Sequence, residues 1–408
     1  MENKIVQSAL QKAQARFKEL DEISLYNQKK VLNSFAKNKV SLRHFNGTSG
    51  YGLDDTGRDT LCNVLADIFG ADKAIVSPHI ASGTHALTLA LFGVLRPNDV
   101  VLSVTGEPYD TLSDVIYKKD IGSLADFGVK FDCVPLRTDG SVDFDKITER
   151  LESNNVKMVY IQRSRGYAWR LALTIDQIAK ICEFVRKIVP NCIIMCDNCY
   201  GEFVETREPV EVGCDMCAGS FIKNIGGGIA PTGGYVVGRA DLIDLVAGRL
   251  TSPSIGAEVG SYTAGYRLFY QGIFNAPHVV NQALKTSLLF SSALSELGYE
   301  VLPKLDDRLG DIVCSIKLGS ADKLVKFCQA IQSVSPVDGY VAPIPWTQPG
   351  YNDEIIMAAG CFVQGSSIEL SCDGPIREPY IAYLQGGLTI EHGILTLESV
   401  LARLKNDN

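Results

Sequence analysis

The chain has 408 residues, of which 46% are hydrophobic and 21% charged, and its net charge is −8. A chain of this length buries a large core, so neither disulfides nor metals are needed for stability. The acidic balance, without a basic stripe, argues against nucleic acid as a partner, and no apolar run is long enough to cross a membrane. Twelve cysteines, several of them in apolar segments, indicate buried free thiols. With no signal-peptide pattern at the polar N-terminus, we expect a cytoplasmic protein.

Apolar periodicity divides the chain into helices and short strands. Residues 4–37 predict one or two helices, whereas residues 38–58 are rich in Gly, Asn and Asp and predict a long loop that is functional or interfacial. Short apolar segments predict strands at 74–77, 100–104, 129–134, 156–161, 192–197, 217–222 and 234–238. Helical patterns separate several of them, at 84–95, 143–152 and 174–189.

This alternation predicts an α/β fold with a mostly parallel seven-stranded sheet flanked by helices on both faces. The link from 222 to 234 is short and Gly-rich, so the strand at 234–238 is expected to run antiparallel. Beyond it, the patterns predict a smaller α+β C-terminal domain, with helices at 278–297, 321–333 and 391–405 and strands at 311–318 and 366–372. We therefore expect an N-terminal helical segment that packs on the small domain or a partner subunit, a large domain and a small domain, at 1–45, 46–285 and 286–408.

A turn of small residues connects the first strand to an apolar helix. It consists of Ser82, Gly83 and Thr84. Gly83 lets the backbone approach a ligand closely, and the first N–H groups of a helix have no internal partners, so the turn can bind a phosphate. Taken alone, the same pattern fits an N-capped buried helix better.

Asp197 and Lys223 each end an apolar segment, and a run of three glycines at 226–228 follows the lysine. Because ligands of open α/β sheets bind beyond the carboxyl ends of the strands, this pair predicts a site for pyridoxal 5'-phosphate (PLP). The lysine can bond the cofactor aldehyde, and the aspartate can pair with the pyridinium nitrogen, which keeps the ring an electron sink. The alternatives are an aspartate that caps a turn and a lysine that reaches the surface.

Other residues are candidates for the same site. Tyr109, just after a predicted strand, can stack on a planar cofactor, and Ser220 can offer a hydroxyl to its phosphate. An amino-acid substrate needs a carboxylate clamp, for which Arg377 is the first candidate because guanidinium binds carboxylate through two hydrogen bonds. Its competitors are Arg163, Arg165 and Arg267.

Four cysteines support a competing interpretation. Their spacing, C-x2-C followed by C-x2-C, is close to that of a zinc ribbon. Zinc ribbons place their cysteines on Gly-bearing turns, and only Gly213 fits, whereas the strand pattern explains the cysteines without a metal. We therefore expect no metal site from the set Cys196, Cys199, Cys214 and Cys217.

The order of these motifs resembles that of the fold-type I PLP enzymes, and within them the cystathionine and methionine lyase group. The tetrad DNCY at 197–200 resembles the D-N-x-Y of that group, and SFIK at 220–223 resembles its S-x-x-K. The segments SGYGLDDTGRDTL, FIKNIGGGIAPTGGY and SIELSCDGPIREPYIAYLQGGLT resemble more narrowly the methionine γ-lyase-related "aluminium resistance protein" family of bacteria. This resemblance extends from about residue 45 to the C-terminus.

The resemblance implies a carbon–sulfur lyase that acts on a methionine-, cystathionine- or cysteine-like amino acid by β- or γ-elimination. It implies that Lys223 and Tyr109 are catalytic and that Arg377 holds the substrate carboxylate. Tyr51 would reach the neighbouring subunit's cofactor and substrate, so the assembly would be a homodimer or homotetramer with shared sites. The remaining cofactor contacts that it implies are Ser82, Gly83, Thr84, Asp197, Cys199 and Ser220.

The sequence departs from the lyase pattern at two positions. Ile222 stands where the group has Thr, and Leu53 stands where its Tyr-x-Arg motif has Arg, with Arg58 nearby. Another PLP reaction, such as transamination or retro-aldol cleavage, and a non-catalytic role in metal stress stay open as alternatives.

Overall fold

The computed structural model describes residues 4–153, 155–348 and 350–405. Its larger sheet has seven strands in the order β1-β7-β6-β5-β4-β2-β3. The strands are β1 (Lys73–Ser77), β2 (Val100–Ser103), β3 (Lys130–Cys133), β4 (Val156–Gln162), β5 (Ile193–Asp197), β6 (Met216–Ser220) and β7 (Gly234–Gly238). β7 is antiparallel to both of its neighbours, while the pairs among β2 to β6 are parallel. The predicted α/β class and the antiparallel strand are both confirmed.

Helices cover both faces of this sheet. They are α2 (Thr56–Phe69), α3 (Gly83–Val94), α4 (Asp110–Tyr117), α5 (Phe144–Ser153), α6 (Ile175–Ile188) and α7 (Ala240–Leu250), preceded by α1 (Lys4–Lys37). Alternate residues of β4 enter different cores: Met158 packs in the cluster that contains α3 and α7, and Val159 in the one that contains α2 and α6. Burial on both faces explains why the strands read as continuous apolar runs.

A second, antiparallel sheet of five strands forms the small domain, in the order β10-β11-β12-β9-β8. Its elements are α8 (Arg267–Glu296), β8 (Val301–Leu302), β9 (Val313–Lys317), α9 (Ala321–Gln332), β10 (Ile355–Ala358), β11 (Ser371–Pro375), β12 (Ile381–Gln385) and α10 (Ile390–Lys405). The predicted α+β character is confirmed. The strand predicted at 366–372 is wrong in its bounds, because β11 begins at Ser371 and ends at Pro375.

The N-terminal helix α1 is one continuous helix that bridges the two parts of the chain. Lys12 pairs with Glu296 at the end of α8, at 2.7 Å. Asn27 donates a hydrogen bond to the Phe203 carbonyl in the large domain, at 3.1 Å. The predicted boundary at 285/286 lies inside α8, which both domains share, and the boundary itself stays a prediction. Within the described ranges, no helix combines the length and apolarity of a bilayer span.

Candidate active site

A cavity of about 330 Å³ lies at the carboxyl ends of β4, β5 and β6, between the large sheet and the small one. Its position follows from topology, because the ends of adjacent parallel strands converge at one edge of a sheet. The structure brings most of the predicted site residues to its wall: Ser82, Gly83, Thr84, Tyr109, Asp197, Cys199, Ser220 and Lys223.

Lys223 follows β6 directly, on the tight connection to β7. The connection needs glycine, since a Cβ on Gly226 would lie 1.7 Å from the Phe221 carbonyl oxygen. The lysine amine lies 3.9 Å from the centroid of the Tyr200 ring. Burial lowers the pKa of Lys223, but the acidic groups around it, with Cys199, Tyr200 and Asp197 foremost, outweigh burial and hold the pKa above its ordinary value. Lys223 is half-buried, and Asp197 is the nearby carboxylate that faces its amine in the cavity wall.

Asp197 ends β5 and is buried. Its Oδ1 accepts a hydrogen bond from the Cys199 N–H at 3.0 Å, and its Oδ2 accepts a longer one, 3.4 Å, from the Tyr160 hydroxyl. Burial raises the pKa of Asp197, although the Cys199 N–H and the charge of Lys223 oppose that effect. The hydrogen bonds to this buried carboxylate do not offset the cost of burying its charge, so it needs a cationic partner. The N–H of a pyridinium ring is such a partner.

The turn before α3 has the features of a phosphate site. The Ser82 hydroxyl caps the helix by accepting from the His85 N–H at 3.1 Å. The N–H groups of Gly83 and Thr84 precede the helical hydrogen bonds. Ser220 Oγ is buried and has no hydrogen-bond partner among the described residues. A Cβ on Gly83 would lie 3.0 Å from Cys199 Sγ and 3.5 Å from Ser220 Cβ, so only a glycine keeps this cradle open.

Tyr109 lies at the start of α4 with its ring in the cavity. Its N–H donates to Gln162 Oε1 at 2.7 Å, which fixes the backbone. Its hydroxyl forms a short hydrogen bond with that of Tyr351. Burial raises the pKa of Tyr109, and the neighbouring acidic groups Tyr351 and Asp373 raise it further. The phenol is therefore protonated at neutral pH and can donate a proton or a hydrogen bond.

Sequence reasoning missed an acidic side chain in the cavity wall, Asp373 on β11. The Gln385 amide donates to its Oδ2 at 3.1 Å. Burial raises the pKa of Asp373 to about 6, against the opposing effects of Tyr167, Gln385 and Lys223. The signal was a charged residue in the segment ELSCDG, but the predicted strand ended at residue 372 and so left Asp373 outside the sheet.

Two of the predicted residues do not line this cavity. Tyr51 is 78% exposed, and the neighbouring Leu53 is 61% exposed. Arg58 is buried instead and donates to the Gly52 carbonyl at 2.9 Å, which fixes the loop. Arg377 pairs with Asp353 at 2.7 Å, outside the cavity wall. The roles of Tyr51 and Arg377 at the site stay predictions.

The competing arginines serve the fold. Arg163 is fully buried and donates to Asn198 Oδ1 at 2.9 Å, which supports the segment after Asp197. Arg165 is buried against Asp311, at 3.0 Å. Arg267 is the exposed first residue of α8. Hence none of the three is part of the described cavity wall.

The four cysteines of the zinc interpretation are buried. Cys199 lines the cavity, whereas Cys214 lies in the core, 3.7 Å from the sulfur of Cys182. In the part of the chain that the structure describes, no three His, Cys, Asp or Glu side chains are grouped so that they could hold a metal ion. Two of these thiols lie on strands, Cys196 on β5 and Cys217 on β6, whereas Cys199 and Cys214 lie just outside them.

Comparison with known proteins decides the family. The family model described as methionine gamma-lyase matches residues 2–405. The chain belongs to the methionine gamma-lyase family. A member of similar sequence is YnbB of Bacillus subtilis, which is 49% identical over 378 residues, 92% of this chain and 90% of that protein.

Solved structures agree with this placement in the methionine gamma-lyase family. A protein from Clostridium novyi described as a carbon-sulfur lyase involved in aluminum resistance is 49% identical, with a TM-score of 0.95 over 98% of this chain and 95% of that one. The pyridoxal-5'-phosphate dependent protein YhfS of Escherichia coli shares the fold at 16% identity, with a TM-score of 0.63 over 94% and 97% of the two chains. The fold is that of the fold-type I PLP enzymes, and the family and the Clostridium novyi neighbour indicate a protein of the carbon–sulfur lyase type.

Proposed function

We propose that the protein is a PLP-dependent carbon–sulfur lyase that cleaves a sulfur-containing amino acid by β- or γ-elimination. The observation that carries the proposal is the convergence of a half-buried lysine, a buried aspartate and a phosphate cradle on one cavity, at the edge where the strands end. Membership of the methionine gamma-lyase family supports the choice of a carbon–sulfur bond over other bonds.

The residues present fit the cofactor. The N–H groups of Gly83 and Thr84 and the unpartnered hydroxyl of Ser220 would hold its phosphate. Asp197 would pair with the ring nitrogen, and Tyr109 would lie against the ring. Bound in this way, the cofactor supplies an electron sink for negative charge that develops at the substrate Cα.

The proton transfers fall to side chains of this chain. The Lys223 amine, once released from the cofactor, would take the proton from Cα as general base. In β-elimination the Cβ–S bond then breaks, and sulfur leaves with the bonding pair and accepts a proton, which the protonated phenol of Tyr109 can supply. With one water consumed, the products are a thiol, pyruvate and ammonium. In γ-elimination a Cβ proton must also be removed before the Cγ–S bond breaks, and the oxo acid is 2-oxobutyrate.

The shared-site assembly is also part of the proposal. Tyr51 and Leu53 are large apolar side chains that are mostly exposed on the loop before α2. Contact with a second copy would bury them and could bring Tyr51 to the partner's cavity, in a homodimer or homotetramer. Arg377 would hold the substrate carboxylate only after exchanging Asp353 for it, because the two are paired at 2.7 Å.

The test is spectroscopic and chemical. The purified protein should absorb in the visible range, and borohydride should remove that absorbance and leave a pyridoxyl adduct on Lys223 that mass spectrometry can map. A thioether amino acid should then yield an oxo acid and a thiol without an oxo-acid acceptor, which an aminotransferase would require. A colourless protein that takes up no PLP would overturn the proposal.

A further inference from the structure

Asp373 is a charged side chain that the proposed elimination does not use. It lies at the middle of β11, opposite Tyr383 of β12 and Met357 of β10, and lines the cavity from the small domain. The Gln385 amide is its hydrogen-bond donor, at 3.1 Å. The Tyr167 hydroxyl lies close enough to lower the pKa of Asp373, yet it completes no hydrogen bond of good geometry within the described chain. The carboxylate therefore keeps acceptor capacity toward the cavity.

Three tyrosine rings stand beside Asp373. The ring centroids of Tyr109 and Tyr167 are 5.8 Å apart, those of Tyr167 and Tyr351 are 5.9 Å apart, and those of Tyr109 and Tyr351 are 6.2 Å apart. We call these three residues the tyrosine cluster. Asp373 lies directly opposite Tyr383 in the antiparallel pair, so their side chains share one face of the sheet. The Tyr383 ring centroid is 5.0 Å from that of Tyr167, which places the carboxylate next to the cluster.

The charged side chains of the cavity wall bear on the role of Asp373. Among the described residues of the wall, Lys223 is the one basic side chain, and it acts on Asp373 through its charge alone. In the proposed function, Asp197 is paired with the ring nitrogen of the cofactor. A second carboxylate in an aromatic wall is costly to bury unless a cation meets it, and aromatic faces together with a carboxylate are the surroundings that an alkylammonium prefers.

We propose that Asp373 and the tyrosine cluster form a subsite for a positively charged amine at the far end of the substrate. The inference rests on the proposed lyase function and narrows its substrate class. The favoured substrates are thioether amino acids that carry a second ammonium group on the part that leaves with sulfur, rather than neutral ones such as methionine. In this role Asp373 determines specificity and is not a catalytic residue.

A binding experiment on the holoenzyme tests the subsite without requiring turnover. L-Lysine and L-2-aminoheptanoate have side chains of equal length that end in an ammonium and a methyl group, and neither has a sulfur leaving group. Calorimetric titration at pH 7.5 should give a dissociation constant at least about tenfold lower for L-lysine. In Asp373→Asn the two constants should agree within about threefold, because the neutral amide no longer attracts the ammonium. The matched control Asp322→Asn, an exposed acid on α9, should keep the wild-type preference.

Wild-type protein gives a second readout that does not depend on the variant folding. As the pH falls from 7.5 to 5, Asp373 takes up a proton and the preference for L-lysine should disappear. The ratio of the two constants cancels protonation steps that both ligands share. Lys223 is bonded to the cofactor in the holoenzyme of the proposed function. The tyrosines that face Asp373 keep their protons over this range, because their pKa values are raised: Tyr109, Tyr167, Tyr200, Tyr351 and Tyr383.

Turnover of a second matched pair separates this inference from the proposed function. S-(2-Aminoethyl)-L-cysteine should be cleaved with a higher kcat/KM than S-propyl-L-cysteine, and Asp373→Asn should reduce only the former. If wild type cleaves neither compound and releases no 2-oxobutyrate from methionine, but binds L-lysine selectively through Asp373, the lyase proposal fails and the subsite stands. Equal binding of L-lysine and L-2-aminoheptanoate by wild type, or an equal loss of both in Asp373→Asn, would overturn the subsite.

Discussion

The two walls of the cavity are built in different ways. The large domain contributes what we call the cofactor wall, in which each polar group stands at or just beyond a strand end: the turn at 82–84, Asp197, Ser220 and Lys223. The small domain contributes the substrate wall, formed by Tyr351, Ser366, Ser371 and Asp373 from an irregular segment and an antiparallel strand. The first wall follows from the topology of a parallel sheet, whereas the second depends on how loops of one domain meet another.

The difference also appears in hydrogen bonding. On the cofactor wall, Ser220 Oγ is a buried hydroxyl without a partner among the described residues, and in the proposed function one fixed ligand group, a phosphate, would account for it. On the substrate wall, the hydroxyls of Ser366 and Ser371 are both buried and unpartnered within the described residues. Polar groups of several different substrates could form hydrogen bonds with these two hydroxyls. The comparison suggests that cofactor binding and substrate choice can be separated by mutation.

The largest effect is expected at Lys223. Lys223→Ala removes both the bond to the cofactor and the base that takes the Cα proton, so kcat should fall at least about a thousandfold. Borohydride should leave no pyridoxyl adduct on this variant. Lys304→Ala, which changes an exposed lysine, should retain wild-type activity and the adduct. Wild-type turnover by the Lys223 variant would contradict the assignment.

Next comes Asp197. Asp197→Asn keeps the shape of the side chain but cannot hold a protonated ring nitrogen, so kcat should fall by about a hundredfold or more. The assay is oxo-acid release from a thioether amino acid. Tyr160→Phe is the matched control, since it removes only the 3.4 Å hydrogen bond to the same carboxylate and should change kcat by less than about threefold. Comparable losses in the two variants would show that the carboxylate acts through Tyr160.

On the substrate wall, Asp373→Asn should stabilise the fold at neutral pH. The pKa of Asp373 is about 6 in the folded protein, above its unfolded value, so ionisation costs stability as pH rises through 6. A shift of about two units corresponds to about 3 kcal/mol. Urea unfolding should therefore show a gain of about that size for the variant at pH 8, and little gain at pH 4. Asp322→Asn, on the surface, should show no such dependence on pH.

The smallest predicted effect compares one hydroxyl from each wall. Ser220→Ala should weaken cofactor binding by about tenfold, the value of one hydrogen bond to a charged group, as measured by PLP titration of the cofactor-free protein. Ser366→Ala removes an equally buried hydroxyl and should leave the PLP dissociation constant unchanged. Equal effects would mean that the cofactor reaches the substrate wall.

The cofactor wall was predictable because its signals are local. Asp197 and Lys223 are polar residues at the ends of apolar runs, and the turn at 82–84 joins a strand to a helix, so the short segment around each residue shows its position. The same logic predicted β7 as antiparallel from the length of one loop. Little in these inferences required knowing how distant segments meet.

The substrate wall was not predictable for the converse reason. Asp373 faces the cavity because of the register that β11 adopts with β10 and β12, whereas the strand predicted at 366–372 began five residues and ended three residues too early. Tyr351 lies in an irregular segment for which the sequence pattern predicted no element. Its hydroxyl forms a hydrogen bond with that of Tyr109, which lies 242 positions earlier in the chain. Helix α2 and the first part of α8 were missed because polar and glycine residues at their starts concealed the apolar spacing.

Helix α8 connects the two walls of the cavity. At 1.5 Å per residue its 30 residues span about 45 Å. Near its start, Gly272 is in backbone contact with Gly226 of the loop that carries Lys223. Near its end, Ser291 Oγ donates to the Pro303 carbonyl in the small domain. One continuous helix, with Pro277 in its interior, therefore contacts both the loop that holds Lys223 and the small domain.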